Sequence, residues 1–492
     1  MNRKGRVTHV ILGDDRQIEI PRIVSRKIAG KRLSGLRCIH THVKREPITQ
    51  DDLNDLVLLR LDLIVTVDIL QDGAPAKLTM AHISPDTEKP HTIIGPAPFA
   101  EIEKNFDGLI TMVEAELEKT FSALAVDSDQ IALLIHVSDL PQNIMESSIN
   151  ELAQLARTAG IYAADTVTQR RKTPNPRYLM GKGKLRDFMV KALSMGINTV
   201  IFDTELTAGQ LKAIADFTDI DVMDRTQLIL TIFERHAKSR DGKVRVELAR
   251  MKYLLPRLGA KESALSRIRG GIGLRGPGET TAETQRRHLQ RRISTFEKEL
   301  EQLKSKREEK RKRRIRGAAK AISIIGYTNA GKSTLLNKLT GSKTMVKDIL
   351  FSTLDPSTRK LWLGETKTAV ISDTVGLIRD MPDSLLGVFR ATLEELKESD
   401  LLIHLVDASD PGFEEHIETA EKIMRDLGLL LDLDSAPVVT VFNKIELIDS
   451  ETAKNICKRF GATGISASTG QGIKELLERV KGALFDATVT AH

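Results

Sequence analysis

The sequence predicts a multidomain α/β protein, and three observations carry that expectation. Short apolar runs of strand length alternate with amphipathic helical stretches, the pattern of parallel sheets with helical crossovers. One such strand, Ala321 to Ile325, runs directly into Gly326-Tyr327-Thr328-Asn329-Ala330-Gly331-Lys332-Ser333 and then a helical pattern. Two apolar seams of helical spacing flank a stretch of glycine and arginine. At 492 residues the chain exceeds one compact core. Four segments are expected: an N-terminal α/β extension at 1–125, a smaller α/β domain at 126–235, a helical hairpin at 236–317 and a P-loop domain at 318–487.

Composition narrows the classes. Lys and Arg (74) exceed Asp and Glu (67), for a formal charge of +7, which permits an acidic partner such as nucleic acid without demanding one. Only Cys38 and Cys457 occur, so neither a disulfide framework nor a cysteine zinc site is available. Gly13-Asp14-Asp15 follows the opening apolar run, unlike a secretory signal. The longest apolar run, Leu56 to Leu70, is broken by Arg60, Asp62 and Asp68, so no membrane span is expected. A soluble, cytoplasmic, monomeric protein is the expectation.

In the first segment, β-rich runs around Gly13-Asp14-Asp15 predict a hairpin over Val7 to Ile20. Thr49 caps a helix bearing Leu53, Leu56 and Leu59, strands follow at Ile64 to Leu70 and Ala76 to Ile83, and Pro85, Pro90, Pro96 and Pro98 mark a loose connection. A helical pattern covers Phe106 to Leu124. His40-Thr41-His42 with Asp52 resembles the H-x-H, S/T-x-x-D pattern of JAB-type metalloproteases, one residue short in spacing. Both imidazoles on one strand face would reach one Zn²⁺, with Asp52 as third ligand and Glu19 as the candidate catalytic acid. Thr49 and Asp52 equally form a helix capping box, and paired histidines need no metal, so a structural role is the expectation and a zinc site the alternative.

The second segment opens with the buried strand Ile131 to Val137 and a helix through Leu152 and Leu155. Strands at Thr199 to Phe202 and Ile220 to Met223 enclose a helix, Leu206 to Phe217. Between them, Gln169 to Lys184 is basic, with Gly181-Lys182-Gly183-Lys184 near Arg170, Arg171 and Arg177.

In the third segment Val244, Leu248, Met251 and Leu255 make one seam, and Leu289, Ile293, Phe296, Leu300 and Leu303 a second. That predicts an antiparallel helical hairpin. Its tip carries Arg267, Arg269 and Arg275 among five glycines, a composition that builds no core but makes a flexible cationic surface. Nine of the thirteen residues Lys304 to Arg316 are basic as well, so this region is the expected RNA-contact surface.

The chemistry-bearing motifs lie in the last segment. Strand, G-x-x-x-x-G-K-S and helix in succession form a phosphate loop. Its glycines let backbone N–H groups of Asn329, Ala330, Gly331 and Thr334 approach phosphate oxygens, Lys332 supplies a fixed cation and Ser333 a Mg²⁺ ligand. Thr353, flanked by Phe351 and Ser352, is placed as the switch threonine that completes the metal shell. Asp373-Thr374-Val375-Gly376 supplies a further metal contact through Asp373 and an N–H for the γ-phosphate through Gly376. Asn443-Lys444-Ile445-Glu446 ends a strand where bases are read, with Glu446 in place of the usual Asp, and Ser466-Ala467-Ser468 fits the loop that meets the guanine O6. Lys332, Thr353 and Gly376 are the expected catalytic residues. The motifs, in this order, predict a Ras-like GTPase domain using GTP or GDP with Mg²⁺.

From about residue 126 to 487 the chain resembles the HflX family of translational GTPases, on these motifs together with Arg-Gly-Gly-Ile-Gly-Leu-Arg-Gly-Pro-Gly-Glu-Thr at 269–280 and the preceding α/β segment. The resemblance implies binding to the large ribosomal subunit and splitting or rescue of stalled ribosomes, with the 269–280 loop reaching ribosomal RNA. Leu377 follows Gly376 where many G proteins place a water-orienting glutamine, so slow intrinsic hydrolysis is expected until a partner organises the water. Two other classes stay open. One is an NTP-dependent RNA-remodelling or ribosome-biogenesis enzyme with a second phosphate site at Gly181–Lys184; the other is a signalling switch, which leaves the cationic loop unexplained.

Overall fold

The computed structural model describes residues 1–13, 18, 33–42, 46–70, 72–84, 86, 89–99, 105–124, 130–216, 218, 220–258, 281–316, 320–341, 350–351, 357–364, 367–374, 376–379, 385, 396–397, 399–426, 428 and 436–485. Two compact units result, Met1–Asp224 and Arg225–His492.

In the first unit β1 (Arg37–Thr41), α1 (Gln50–Leu58), β2 (Leu63–Ile69), β3 (Pro75–Ile83) and β4 (His91–Pro98) build a four-stranded sheet in chain order. β1 lies parallel to β2 across α1, and the remaining pairs are antiparallel. Helix α1 starts where expected. The Thr49 side chain accepts from the Asp52 N–H and the Asp52 carboxylate accepts from the Thr49 N–H, a reciprocal cap worth about 1 kcal/mol.

Two expectations need correction here. The proline-rich connection contains a strand, β4, which pairs on one side only and is largely exposed. An edge strand tolerates Pro96 and Pro98 because the missing N–H groups cost no ladder bond on the open side. Of the hairpin expected over Val7 to Ile20, residues 7–13 belong to no strand and leave Val7, Val10 and Leu12 exposed, while residues 14–17, 19 and 20, Glu19 among them, lie outside the described residues. Two isolated strands without an apolar cover are marginal in water.

After α2 (Phe106–Leu124) come β5 (Ile131–Ser138), α3 (Gln142–Thr158), β6 (Tyr162–Arg170), α4 (Lys182–Ser194), β7 (Thr199–Phe202), α5 (Ala208–Ala215) and β8 (Asp221–Asp224). The strands form an all-parallel sheet in the order β6-β5-β7-β8. The polar break in β5 is satisfied internally: His136 Nδ1 lies 2.7 Å from Asp203 Oδ2 and Nε2 lies 2.8 Å from Ser138 Oγ. Both sheets draw on one apolar core that includes Leu56 and Ile64, Ile110 and Val113, and Leu185 and Phe202. Arg186 of α4 also pairs with Asp51 and Asp55 of α1.

The second unit opens with α6 (Arg225–His236), α7 (Arg240–Leu254) and α8 (Thr281–Arg316). Leu289, Ile293, Phe296, Leu300 and Leu303 are partly covered along an otherwise exposed α8, while α7 buries Val244, Leu248 and Met251. Ion pairs Arg240–Glu299 at 2.7 Å and Arg292–Glu247 at 3.4 Å run in opposite senses along the two helices, as an antiparallel hairpin requires.

Then follow β9 (Lys320–Gly326), α9 (Lys332–Thr340), β10 (Ser357–Trp362), β11 (Thr368–Asp373), β12 (Leu401–Asp407), α10 (Phe413–Asp426), β13 (Val438–Asn443), α11 (Ser450–Arg459), β14 (Thr463–Gly464) and α12 (Ile473–Phe485). Their sheet runs β10-β11-β9-β12-β13-β14, with β10 alone antiparallel. Nearly continuous apolar sequence in β9 and β12 fits strands covered on both faces. Register pairs Ile324 with Asp373, Gly326 with Leu405 and Asp407 with Asn443, so the carboxyl ends carrying the motifs meet at one edge.

Candidate nucleotide site

The phosphate loop turns tightly between β9 and α9. Asn329 (φ 62°) and Gly331 (φ 91°) both adopt left-handed backbone, and a Cβ at Gly331 would stand 2.3 Å from Asn443 Nδ2. At Gly326 a Cβ would stand 2.3 Å from the Leu405 carbonyl oxygen, and at Gly376 it would stand 3.1 Å from Lys332 Nζ. Glycine therefore allows close approach at three points of the loop region, against Asn443, the Leu405 carbonyl, and Thr328 with Lys332. Lys332 Nζ donates to the Gly326 carbonyl at 3.1 Å and the Tyr327 carbonyl at 2.7 Å. Burial lowers its pKa to about 8, against the pull of Asp373. An arriving phosphate would offset that desolvation, so the loop is chemically suited to an anion.

Ser333 Oγ donates to Asp373 Oδ2 at 2.6 Å. A hydroxyl and a carboxylate beside the phosphate loop form a hard-oxygen donor set, which suits Mg²⁺ rather than a softer ion. Thr374 is turned inward, its hydroxyl donating to the Ile324 carbonyl at 2.8 Å. Thr353 and Ser352 lie outside the described residues, as do Arg267, Arg269 and Arg275.

Where β13 ends, buried Asn443 ties two loops together. Its Nδ2 donates to the Ala330 carbonyl at 2.8 Å, and its Oδ1 accepts from the Ala467 N–H at 2.9 Å. Lys444 (φ 64°) places Nζ 2.6 Å from Asp407 Oδ2. Ser468 Oγ donates to Glu446 Oε1 at 2.6 Å and lies 3.0 Å from Ser466 Oγ. Partial burial pushes the Glu446 carboxyl up, but the Ser468 hydrogen bond helps outweigh it, and the pKa is held below the ordinary value. The longer acid is thus an ionised, oriented acceptor. Asn443, Lys444, Glu446 and Ser466 to Ser468 stand together at one edge, continuous with the phosphate loop.

Leu377 does not face the phosphate site. Its backbone bridges to the phosphate loop, the Thr328 N–H donating to its carbonyl at 2.7 Å and its own N–H to the Gly326 carbonyl at 3.1 Å. Its side chain is buried with Tyr327, Leu396 and Leu402. Sequence reasoning missed the residues around it. The Tyr327 ring stacks on His416 at 3.8 Å and its hydroxyl accepts the Arg379 N–H, while Arg379 pairs with Glu415. From α6, Arg225 Nη2 donates to the Arg379 carbonyl at 3.1 Å. Phe233 of the same helix meets Phe351 edge-on, with ring centroids 4.7 Å apart. No spacing in the sequence announces these contacts, because they join segments that are distant in the chain, 36 to 154 residues apart.

The second basic cluster is less organised. Arg171 donates to the Thr173 carbonyl, Arg177 lies over Tyr178 and Lys184 over Phe188. Gly181 begins α4 without a side-chain cap.

Comparison with known proteins places this geometry. Residues 146–234 match the family model described as GTP-binding GTPase N-terminal, and 236–314 match GTP-binding GTPase Middle Region. Residues 321–444 match the model described as 50S ribosome-binding GTPase. "GTPase HflX" of Caldanaerobacter subterraneus subsp. tengcongensis is 42% identical over 74% of this chain and 83% of its own length. The protein of that name from Escherichia coli is 36% identical over 74% and 86%. Among solved structures, a GTP-binding protein from Sulfolobus solfataricus in complex with GDP aligns with a TM-score of 0.40 at 23% identity, covering 72% of this chain and 98% of that one. On these family models and on its identity to the two HflX proteins, the chain is a GTP-binding GTPase and belongs to the HflX family.

Proposed function

We propose that this GTPase binds the large ribosomal subunit in a nucleotide-gated manner and thereby splits or rescues stalled ribosomes in the cytoplasm, acting as a monomer. The observation that carries the reading is α6: through Arg225 and Phe233 it touches the segments on both sides of the nucleotide site, and it leads directly into the hairpin. The description of the model matched by residues 321–444 supports a ribosomal partner, and Arg267, Arg269 and Arg275 give the hairpin tip a phosphate-binding composition.

In this reading the backbone of Asn329 to Ser333 and Thr334 cradles the phosphates, with Lys332 neutralising their charge. Ser333, Asp373 and Thr353 would hold Mg²⁺, which supplies charge neutralisation on the phosphate oxygens during β–γ cleavage. Gly376 would present its N–H to the γ-phosphate, Phe351, Ser352 and Thr374 shape the surrounding loops, and Asn443, Lys444, Glu446 and Ser466 to Ser468 hold guanine. Leu377, buried, leaves water positioning to the partner.

Cosedimentation with purified large subunits, with GDP or a non-hydrolysable GTP analogue, tests the proposal. The triphosphate state should bind more tightly. Changing Arg269 and Arg275 to Ala should weaken binding and flatten its salt dependence while basal GTP hydrolysis persists. Equal binding in both nucleotide states removes the gating claim, and an unchanged salt series moves the contact away from the loop.

A further inference from the structure

We infer that His40, His42 and Asp52 form a binding site for one divalent transition-metal ion of zinc-like chemistry, separate from the Mg²⁺ of the nucleotide site. His40 and His42 stand two residues apart at the end of β1, and Asp52 lies in the first turn of α1. His40 Nε2 lies 3.0 Å from His42 Nε2 and 3.1 Å from Asp52 Oδ1, and His42 Nε2 lies 3.4 Å from Asp52 Oδ2. Ligand atoms at the usual zinc distances of about 2.0–2.2 Å in a tetrahedron stand roughly 3.3–3.5 Å from one another. The observed triangle closes to that size with only small adjustment.

Proton placement makes the case sharper. His42 Nδ1 lies 2.8 Å from the Glu46 carbonyl, an acceptor that cannot donate, so Nδ1 carries the hydrogen. Neutral His42 then presents a bare Nε2 lone pair to His40 and to a carboxylate. Asp52 Oδ2 already accepts from the Thr49 N–H at 2.8 Å and hydroxyl at 2.6 Å, which fixes the carboxylate plane. His40 Nδ1 faces Cys38 Sγ at 3.9 Å, leaving its Nε2 turned inward as well. Three potential ligand atoms converge on one point, each held from behind, the arrangement by which outer contacts orient metal ligands. Such a cluster is relieved by a hydrogen on His40 Nε2 or by a metal ion at the centre.

A proton is the rival cation. Burial opposes charge on His40, but the hydrogen bonds to Asp52 and Cys38 together with the charge of these neighbours outweigh it, raising its pKa to about 9. A single proton on His40 Nε2 would have to serve both His42 and Asp52, whereas a metal satisfies all three. Two imidazoles and one carboxylate select a zinc-like ion over Mg²⁺ or Ca²⁺, and partial exposure of His42 and Asp52 leaves the fourth position to water. The ion would fasten the end of β1 to the start of α1.

The test uses the full chain, stripped with a chelator and then saturated with GDP and Mg²⁺ so that the nucleotide site is filled. Zn²⁺ is titrated against a metallochromic indicator, and Co²⁺ is titrated while visible absorption is followed. The expected result is one equivalent of Zn²⁺, the intense ligand-field bands of tetrahedral Co²⁺, and at least tenfold weaker Zn²⁺ binding for both His42→Ala and Asp52→Asn, with GTP hydrolysis unchanged. Zn²⁺ should also raise the Tm of the parent and not that of His42→Ala. Absence of a stoichiometric equivalent in the parent, or equal affinity in parent and variants, overturns the site. A variant that loses GTP hydrolysis is replaced by His42→Gln, which keeps a polar side chain and is judged by the same affinity criterion.

Discussion

Asn443→Ala isolates the link between the two ends of the nucleotide site. The side chain is 2% exposed and makes two hydrogen bonds, to the Ala330 carbonyl and from the Ala467 N–H. Truncation leaves both backbone groups without that partner, at about 1–3 kcal/mol for each buried group. Water can enter from the nucleotide side, so about 1–1.5 kcal/mol applies to each group and the combined loss is about 2–3 kcal/mol. If it falls wholly on the bound state, GDP affinity drops about 30- to 150-fold at roughly 1.4 kcal/mol per decade. Displacement of a fluorescent GDP analogue measures the affinity, and the Tm without nucleotide separates loss of binding from loss of fold. Gly331→Ala should reproduce the defect from the opposite side, because its Cβ would stand 2.3 Å from Asn443 Nδ2 on a left-handed backbone. Folded Asn443→Ala protein binding GDP within about threefold of the parent would show that the bridge does not position the loops.

Burial holds Lys332 at about 8, below its unfolded value of 10.5, so the folded state binds fewer protons between those values. The desolvation cost is therefore fully present below pH 8 and is relieved as pH rises toward about 10.5, so this group's contribution to nucleotide-free stability rises with pH across that window. GDP binding, which favours the charged ammonium, should weaken by up to about tenfold per pH unit above pH 8 with measurable proton uptake in calorimetry; a flat profile through that window refutes the linkage. Glu446→Asp should raise the GTP-over-ATP preference in competition binding if the extra methylene displaces the carboxylate, and should lower it if the Ser468 bond is what orients the group. Leu377→Gln should not accelerate hydrolysis, since the side chain points into an apolar cluster, and should lower Tm through a buried amide costing about 1–3 kcal/mol; faster turnover in single-turnover assays would mean that the side chain leaves that cluster.

Sequence made the nucleotide site legible because a phosphate loop is a local object. Strand, glycines, lysine and helix lie within about twenty residues, and each has a chemical reason to be there. Seams on α7 and α8 were legible for the same reason, helical period being visible over three turns. β4 was missed because proline reads as a connection unless one knows that the strand is an edge. β6 was missed because its half-covered residues show no clean alternation. The Arg225, Tyr327, Phe351 and His416 contacts were illegible in principle from one sequence, since they depend on which distant segments the sheet order brings together. His40, His42 and Asp52 stand between these cases: strand period predicted the shared face, but only the distances show three potential ligand atoms meeting at a point.

The position of α6 has a thermodynamic consequence. One helix holds the Arg379 carbonyl through Arg225 and the Phe351 ring through Phe233, and only three residues separate its end from α7. A rearrangement on either side of the nucleotide must keep these contacts by carrying α6 with it or lose them. In the proposed function, work done at the nucleotide is exchanged with whatever grips the hairpin, and such an exchange has no preferred direction. If the triphosphate tightens the hairpin's hold on a ligand by some factor, that ligand must tighten the hold on the triphosphate, relative to the diphosphate, by the same factor. The partner that is clasped is then also the agent that decides which nucleotide stays.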